Sequence, residues 1–237
     1  MAPRIDILTQ HAEEAAFLYA RLRRSHRVLD GNARQTRSLL ARIDAHLDAL
    51  TLFARDARGA VKGPAEVREV GERFVAACLA AVTGEGLGSL AGAALDREGH
   101  VAVRDALRRY ATAHAREAAE GWLAEGGEAA AAVAVELAAG WGDPRAEKLA
   151  SRAVRRGKGV LRAAGVCALA AIGGAVEADV LTDVMRACER EPGWCDAALA
   201  ATALAAPARA LEFARSDERA GCDTAWVLLG ASGEARD

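Results

Sequence analysis

Glu128-Ala129-Ala130, Arg162-Ala163-Ala164, Asp196-Ala197-Ala198 and Asp223-Thr224-Ala225 are versions of one short pattern. In each, a charged residue precedes small residues and then an apolar run. The steps between them are 34, 34 and 27 residues, at or near the spacing where recurrence marks one supersecondary unit stacked on the next. Each recurrence opens an Ala-rich helical segment, and the interval leaves room for a second helix before the next. The pattern therefore predicts helix pairs repeated along the C-terminal part of the chain.

That plan is an all-α fold: an α-solenoid of HEAT-like helix pairs over residues 85–237. An N-terminal helical hairpin and a third helix, residues 1–84, are expected to cap it. The short last step and the polar end, Ser232-Gly233-Glu234-Ala235-Arg236-Asp237, suit a capping repeat. Composition agrees. Of the 237 residues 52% are hydrophobic but only 4% aromatic, the balance being largely Ala, the strongest helix former.

Charge narrows the partners. The chain has 31 basic and 33 acidic residues, a net charge of −2, which argues against nucleic acid, whose binders carry a basic footprint. The basic clusters at Arg21, Arg23 and Arg24, and at Arg152, Arg155, Arg156 and Lys158, fall near expected helix ends, where cations complement the helix dipole. The five cysteines include no Cys-x-x-Cys pair, which points to reduced thiols and a cytoplasmic setting. The first residues, Met1-Ala2-Pro3-Arg4-Ile5-Asp6, lack an apolar run, so no signal peptide is expected. The longest uncharged run, Ala163 to Val176, is too short to span a bilayer, so no membrane partner is expected.

Along the chain, Leu8, His11, Ala15, Leu18 and Leu22 make one seam of a helix over about 9–24. Leu40, Ile43, Leu47, Leu50 and Ala54 do the same for a helix over about 33–57. Asp30-Gly31-Asn32 is the turn between them. Pro64 should open a third helix that buries Val67, Val70, Phe74, Cys78 and Ala81 and ends at Gly84. A short helix over 89–97 and a long one over 101–120, burying Val103, Leu107, Tyr110 and His114, should follow. The cluster Gly84, Gly86, Gly88 and Gly92 is the softest candidate boundary. From Pro144 a helix should run to Arg156, and the next should place Leu161, Gly165, Ala168 and Ile172 on one face, Gly165 allowing close helix approach. Further helices are expected over 177–190, 194–206, 207–216 and 222–230.

Few residues carry chemistry. The glycine cluster is flanked by helices and lacks a following Lys-Ser or Lys-Thr, so it is a turn rather than a phosphate loop. There is no Gly-x-Ser-x-Gly or His-Glu-x-x-His motif. His11 with Glu14, and His46 with Asp48, could meet across the hairpin and hold a metal, whereas a seam histidine more commonly bonds a neighbouring acid and fixes register. His100 is read as an N-cap-region residue. No cofactor and no catalytic set is predicted. Trp122 and Trp226 are expected in the core, while Trp141 and Trp194, at turns beside charges, are either interface anchors or plugs between repeats.

The hairpin residues Gln10-His11-Ala12-Glu13-Glu14-Ala15-Ala16-Phe17-Leu18 and Asp44-Ala45-His46-Leu47-Asp48-Ala49-Leu50 resemble an uncharacterised bacterial family. It joins such a hairpin to HEAT-like repeats and is often encoded near type VI secretion and PAAR-type effector genes. The likeness covers roughly the first 55 residues. Ala49 stands where the family usually has Gly, and typical members are longer. The resemblance implies a secretion-linked interaction protein, an immunity protein or an effector adaptor, and brings no catalytic residues.

A protein-binding solenoid is thus the leading expectation, with a cognate effector, toxin or secretion component as partner. The expected partner-binding residues are Glu128, Trp141, Arg162, Trp194, Asp196 and Asp223. The alternatives are an enzyme on a HEAT scaffold, such as an alkylpurine DNA glycosylase-like protein, and a structural scaffold. If the charged row lines the interface, reversing Asp196 and Asp223 to Lys should weaken partner binding without moving the thermal melt. Undiminished binding by the folded variant would remove this edge from the interface.

Overall fold

A computed structural model of the chain describes residues 5–25, 33–61, 69–93, 96–174 and 180. The protein is all-α, with no strand among the described residues. The helices are α1 (Ile5–Ser25), α2 (Ala33–Leu52), α3 (Ala54–Ala57), α4 (Val70–Thr83), α5 (Leu87–Ala93) and α6 (Arg97–Arg109). They are followed by α7 (Ala113–Glu125), α8 (Glu128–Gly140), α9 (Ala146–Arg156) and α10 (Gly159–Ile172), and a 3-10 turn, Arg58–Ala60, follows α3. Contacts divide the chain into two compact units, Met1–Ser25 with Asp30–Val133 and His26–Leu29 with Ala134–Asp237. The division falls at Val133, not at the glycine cluster, because α5, α6 and α7 all pack against α4.

In the first unit α1 and α2 pair along their apolar seams. Leu8, Ala15, Leu18 and Leu22 of α1 are buried, as are Ile43, Leu47 and Leu50 of α2. Leu39 rather than Leu40 completes the α2 seam. Successive residues lie about 100° apart around a helix, so only one of the two can face α1, and Leu40 is left exposed. Phe53, at φ −127°, ends α2 earlier than expected, and α3 takes up the remainder.

The helix at the centre is α4. It packs on α1, α2, α3, α5, α6 and α7, and Ala77 to Ala81 are all buried. It begins at Val70 because Glu69 is extended and forms a capping box with Glu72; the expected start at Pro64 and Val67 lie outside the described residues. Phe74, Cys78 and Ala81 are buried as their spacing predicts, and Val70 is half-buried. The thiol of Cys78 is pushed up by burial.

Two features fix α1 on α4. A Cβ at Gly71 would overlap the carbonyl of Ala16, so only glycine admits this crossing. One turn on, the Tyr19 and Phe74 rings stack at 3.9 Å with 1° between their planes. The Tyr19 hydroxyl then donates to Asp105 Oδ2 on α6 at 2.8 Å. Asp105 Oδ1 accepts from Arg104 Nη2 at 2.9 Å. Burial, and then the charge of Asp105, raise the Tyr19 phenol well above its ordinary range.

The long helix expected over 101–120 is two. Tyr110, at φ −107° and ψ 76°, leaves α6, and Thr112 starts α7. Its hydroxyl accepts from the Ala115 amide at 3.2 Å and donates to the Ala81 carbonyl of α4 at 2.7 Å, joining the two helix ends. Val103 and Leu107 are buried as expected, Tyr110 is half-buried, and His114 is exposed.

In the second unit α9 and α10 pair across the link at Gly157 and Lys158. Ala146, Ala150, Ala153 and Val154 of α9 and Ala163, Ala164, Val166, Ala168 and Leu169 of α10 are buried. Gly165 sits where a Cβ would come within 2.8 Å of the Ala150 carbonyl oxygen, the close approach its mid-helix position predicts. Ile172 is exposed and Leu161 half-buried, so the α10 face runs through Ala164 and Ala168 instead. The helices expected over 194–206, 207–216 and 222–230 lie outside the described residues.

Gly71→Ala and Gly165→Leu should each cost about 1–3 kcal/mol of stability through overpacking. Chemical denaturation reads this directly, and an unchanged midpoint for either variant would mean that the helices at that crossing stand further apart.

Candidate functional site

Glu128 and Arg162, the two described residues singled out from the repeat, do not occupy equivalent helical positions. Glu128 is the first residue of α8 and is exposed, whereas Arg162 is the fourth residue of α10 and is half-buried. The difference arises because α10 starts at Gly159, behind an extended Lys158, one turn before the charged residue of the pattern. Glu128 belongs to the first unit and Arg162 to the second. Trp141 is half-buried in the turn after α8, its amide donating to the Leu137 carbonyl at 2.8 Å. Trp194, Asp196, Asp223 and Trp226 lie outside the described residues. Trp122 is buried, as expected of a core residue.

A cleft of about 510 Å³ opens where α1, the 3-10 turn and the start of α4 meet. The tight crossing at Gly71 brings α1 down onto α4 and makes the floor, where Ala16 and Val75 are buried. Phe17 rises from the wall with 60% of its surface exposed. Arg21 and Arg24 supply positive charge from α1, and Glu69 and Glu72 negative charge from the first turn of α4. The sequence signal for this site is Phe17 itself, a large apolar residue two positions past the buried Ala15 and off the buried stripe.

The histidines of the hairpin do meet. His11 Nδ1 and His46 Nδ1 are 2.9 Å apart, with ring centroids at 5.1 Å and planes at 57°. The expected acid partner is replaced by the second imidazole. At that separation one nitrogen carries the proton and the other accepts it, because two protonated nitrogens would point donor at donor. Burial, and then the neighbouring His11, lower the pKa of His46; Glu14 opposes the shift and Arg42 adds to it. His100 lies within the first turn of α6, buried, and the N-cap is Asp96, whose carboxylate accepts from the Gly99 amide at 2.7 Å.

A third feature belongs to the second unit. Lys148, Arg152, Arg155 and Arg156 follow one another at helical spacing on the exposed side of α9 and line a depression of about 430 Å³. Ala146, Ala150, Ala153 and Val154 occupy the buried side.

No protein-family model, no curated protein and no solved structure matches the chain.

The histidine pair sets a pH dependence. Because folding lowers the pKa of His46 below its ordinary value, the unfolded chain takes up the proton first. The stabilisation is whole above the unfolded value of about 6.5 and is lost as pH falls through the lower folded value. The melting temperature should drop between pH 7.5 and 5, above the range where carboxylates titrate. His46→Gln should flatten that drop; an unaltered slope in the variant would dissociate it from this pair.

Proposed function

We propose that the chain is a non-catalytic protein-binding module whose C-terminal part is a HEAT-like solenoid. Its role is that of an immunity protein or adaptor for a secreted effector, working in the cytoplasm. The observation that carries this reading is the cleft beside Phe17. An exposed aromatic over an apolar floor, with cations and anions placed around it, suits an apolar anchor of a partner with charged flanks. The hairpin resemblance supplies the secretion setting. No helix among the described residues is long and apolar enough to cross a membrane.

The basic face of α9 favours a second reading. Four cations on one side of a helix are the kind of footprint that grips phosphates, as the glycosylase-like alternative requires. The near-balanced charge of the whole chain weighs against it.

The test is binding to proteins encoded beside this one, measured by calorimetry. Phe17→Asp should weaken a cognate complex at least tenfold, about 1.4 kcal/mol or more, while the melt stays unchanged because Phe17 is outside the core. Full affinity in the folded variant would exclude the cleft. Salt-sensitive duplex DNA binding abolished by Arg152→Glu with Arg155→Glu, and no protein partner, would establish the second reading instead.

A further inference from the structure

The side of α1 that points away from the core carries a pattern of its own. Gln10, Glu13, Phe17, Arg21 and Arg24 are all exposed, and they fall at steps of three and four residues along one stripe. The stripe is symmetric about Phe17: Glu13 and Arg21 lie four residues to either side, Gln10 and Arg24 seven. We propose that this stripe is a self-complementary docking face for a second copy of the chain, α1 pairing antiparallel with α1 of the copy about a two-fold axis at Phe17.

The two-fold decides which residues meet. In an antiparallel pair centred on Phe17, each residue lies opposite the one of the copy that is equally far from Phe17 on the other side. Phe17 then faces its own counterpart, Glu13 faces Arg21 of the copy, and Arg21 faces Glu13 of the copy. Gln10 faces Arg24 of the copy in the same way, its amide oxygen accepting from the guanidinium. A parallel pair would instead set Arg21 against Arg21 and Glu13 against Glu13, and like charges so placed repel. Isologous pairing of this kind is the commonest route to a soluble dimer, and antiparallel helices also oppose their dipoles.

The fold leaves these groups available. Phe17 stands two positions before Tyr19, about 200° around the helix, so the ring that stacks on α4 and the ring that faces outward are on opposite sides of α1. Arg58, Arg73 and Arg109 of this unit pair with Glu85, Asp96 and Asp44 of other segments. Among the described residues Glu13, Arg21 and Arg24 have no such partner. The acids across the cleft, Glu69 and Glu72, cap α4 instead.

Phe17 supplies the apolar contact and the charges supply the direction. Exposed ion pairs add little affinity, but they exclude the arrangements in which like charges meet. One helix face is a small interface, below the roughly 1,200 Å² at which standard complexes begin, so the dimer is weak and forms only in concentrated solution. A second copy covers the same Phe17 that the partner reading assigns to an effector, so the two exclude one another. The pairing itself needs only this chain and does not rest on that reading.

Sedimentation equilibrium of the full chain between about 10 and about 500 µM should show a reversible monomer–dimer equilibrium. Phe17→Ala should weaken it roughly tenfold or more. Glu13→Arg sets cation against cation across the axis, and Arg21→Glu sets anion against anion, so each variant alone should stay monomeric over that range. Mixed in equal amounts, the two should dimerise again, because each supplies the charge that the other lacks. A natural chain that is monomeric at the highest concentration, single variants that dimerise as well as the natural chain, or a mixture that does not recover overturns the proposal. A thermal melt checks the fold of each variant. Should either fail to fold, NMR of mixed isotope-labelled and unlabelled natural chain decides, by contacts between the Phe17 rings of two copies; their absence refutes the pairing.

Discussion

The close crossing of α1 over α4 at Gly71 is the contact on which the first unit depends. A side chain there would strike the Ala16 carbonyl, and with the helices pushed apart the Tyr19–Phe74 stack could not close at 3.9 Å. That stack delivers the Tyr19 hydroxyl to Asp105, so α1, α4 and α6 are tied by one side chain. Thr112 repeats the device at the other end of α4, where one hydroxyl caps α7 and bonds the Ala81 carbonyl. A helix buried on so many sides needs its neighbours fixed by directional contacts. Apolar packing among small residues tolerates sliding, whereas a glycine notch and a buried hydroxyl do not.

The two candidate sites of this unit are consequences of the same packing. Seating α1 on α4 turns Phe17 outward and leaves the cleft between α1 and the start of α4. Pairing α1 with α2 along Leu18, Ile43, Leu47 and Leu50 brings His11 and His46 to hydrogen-bonding distance. One site offers apolar surface with mixed charge, the other a hydrogen-bonded imidazole pair in which burial and the neighbouring ring lower the pKa of His46. The protein-binding reading rests on the first and is independent of the second.

The departures from the sequence reading have a common physical origin. Leu39 and Leu40 are equivalent by residue type, and the choice between them depends on how α2 is rotated against α1. Helical propensity continues through Tyr110 and Thr112, yet a threonine that can bond a neighbouring helix end gains more as a cap than as an interior residue. Arg162 and Glu128 share a local pattern, but the extended Lys158 moves the start of α10 a full turn ahead of the arginine. In each case the local signal was correct in kind, and a contact from elsewhere fixed the register.

What the sequence determined alone was the helical class, the α1 seam, most of the α2 seam, and the close approach at Gly165. These follow from period, propensity and residue size, which are properties of a segment by itself. The meeting of His11 with His46, the exposure of Phe17 beside a cleft, and the association of α5 to α7 with α4 were decided only by tertiary structure. Each depends on the azimuth and separation of two helices distant in sequence, and no single segment encodes those quantities.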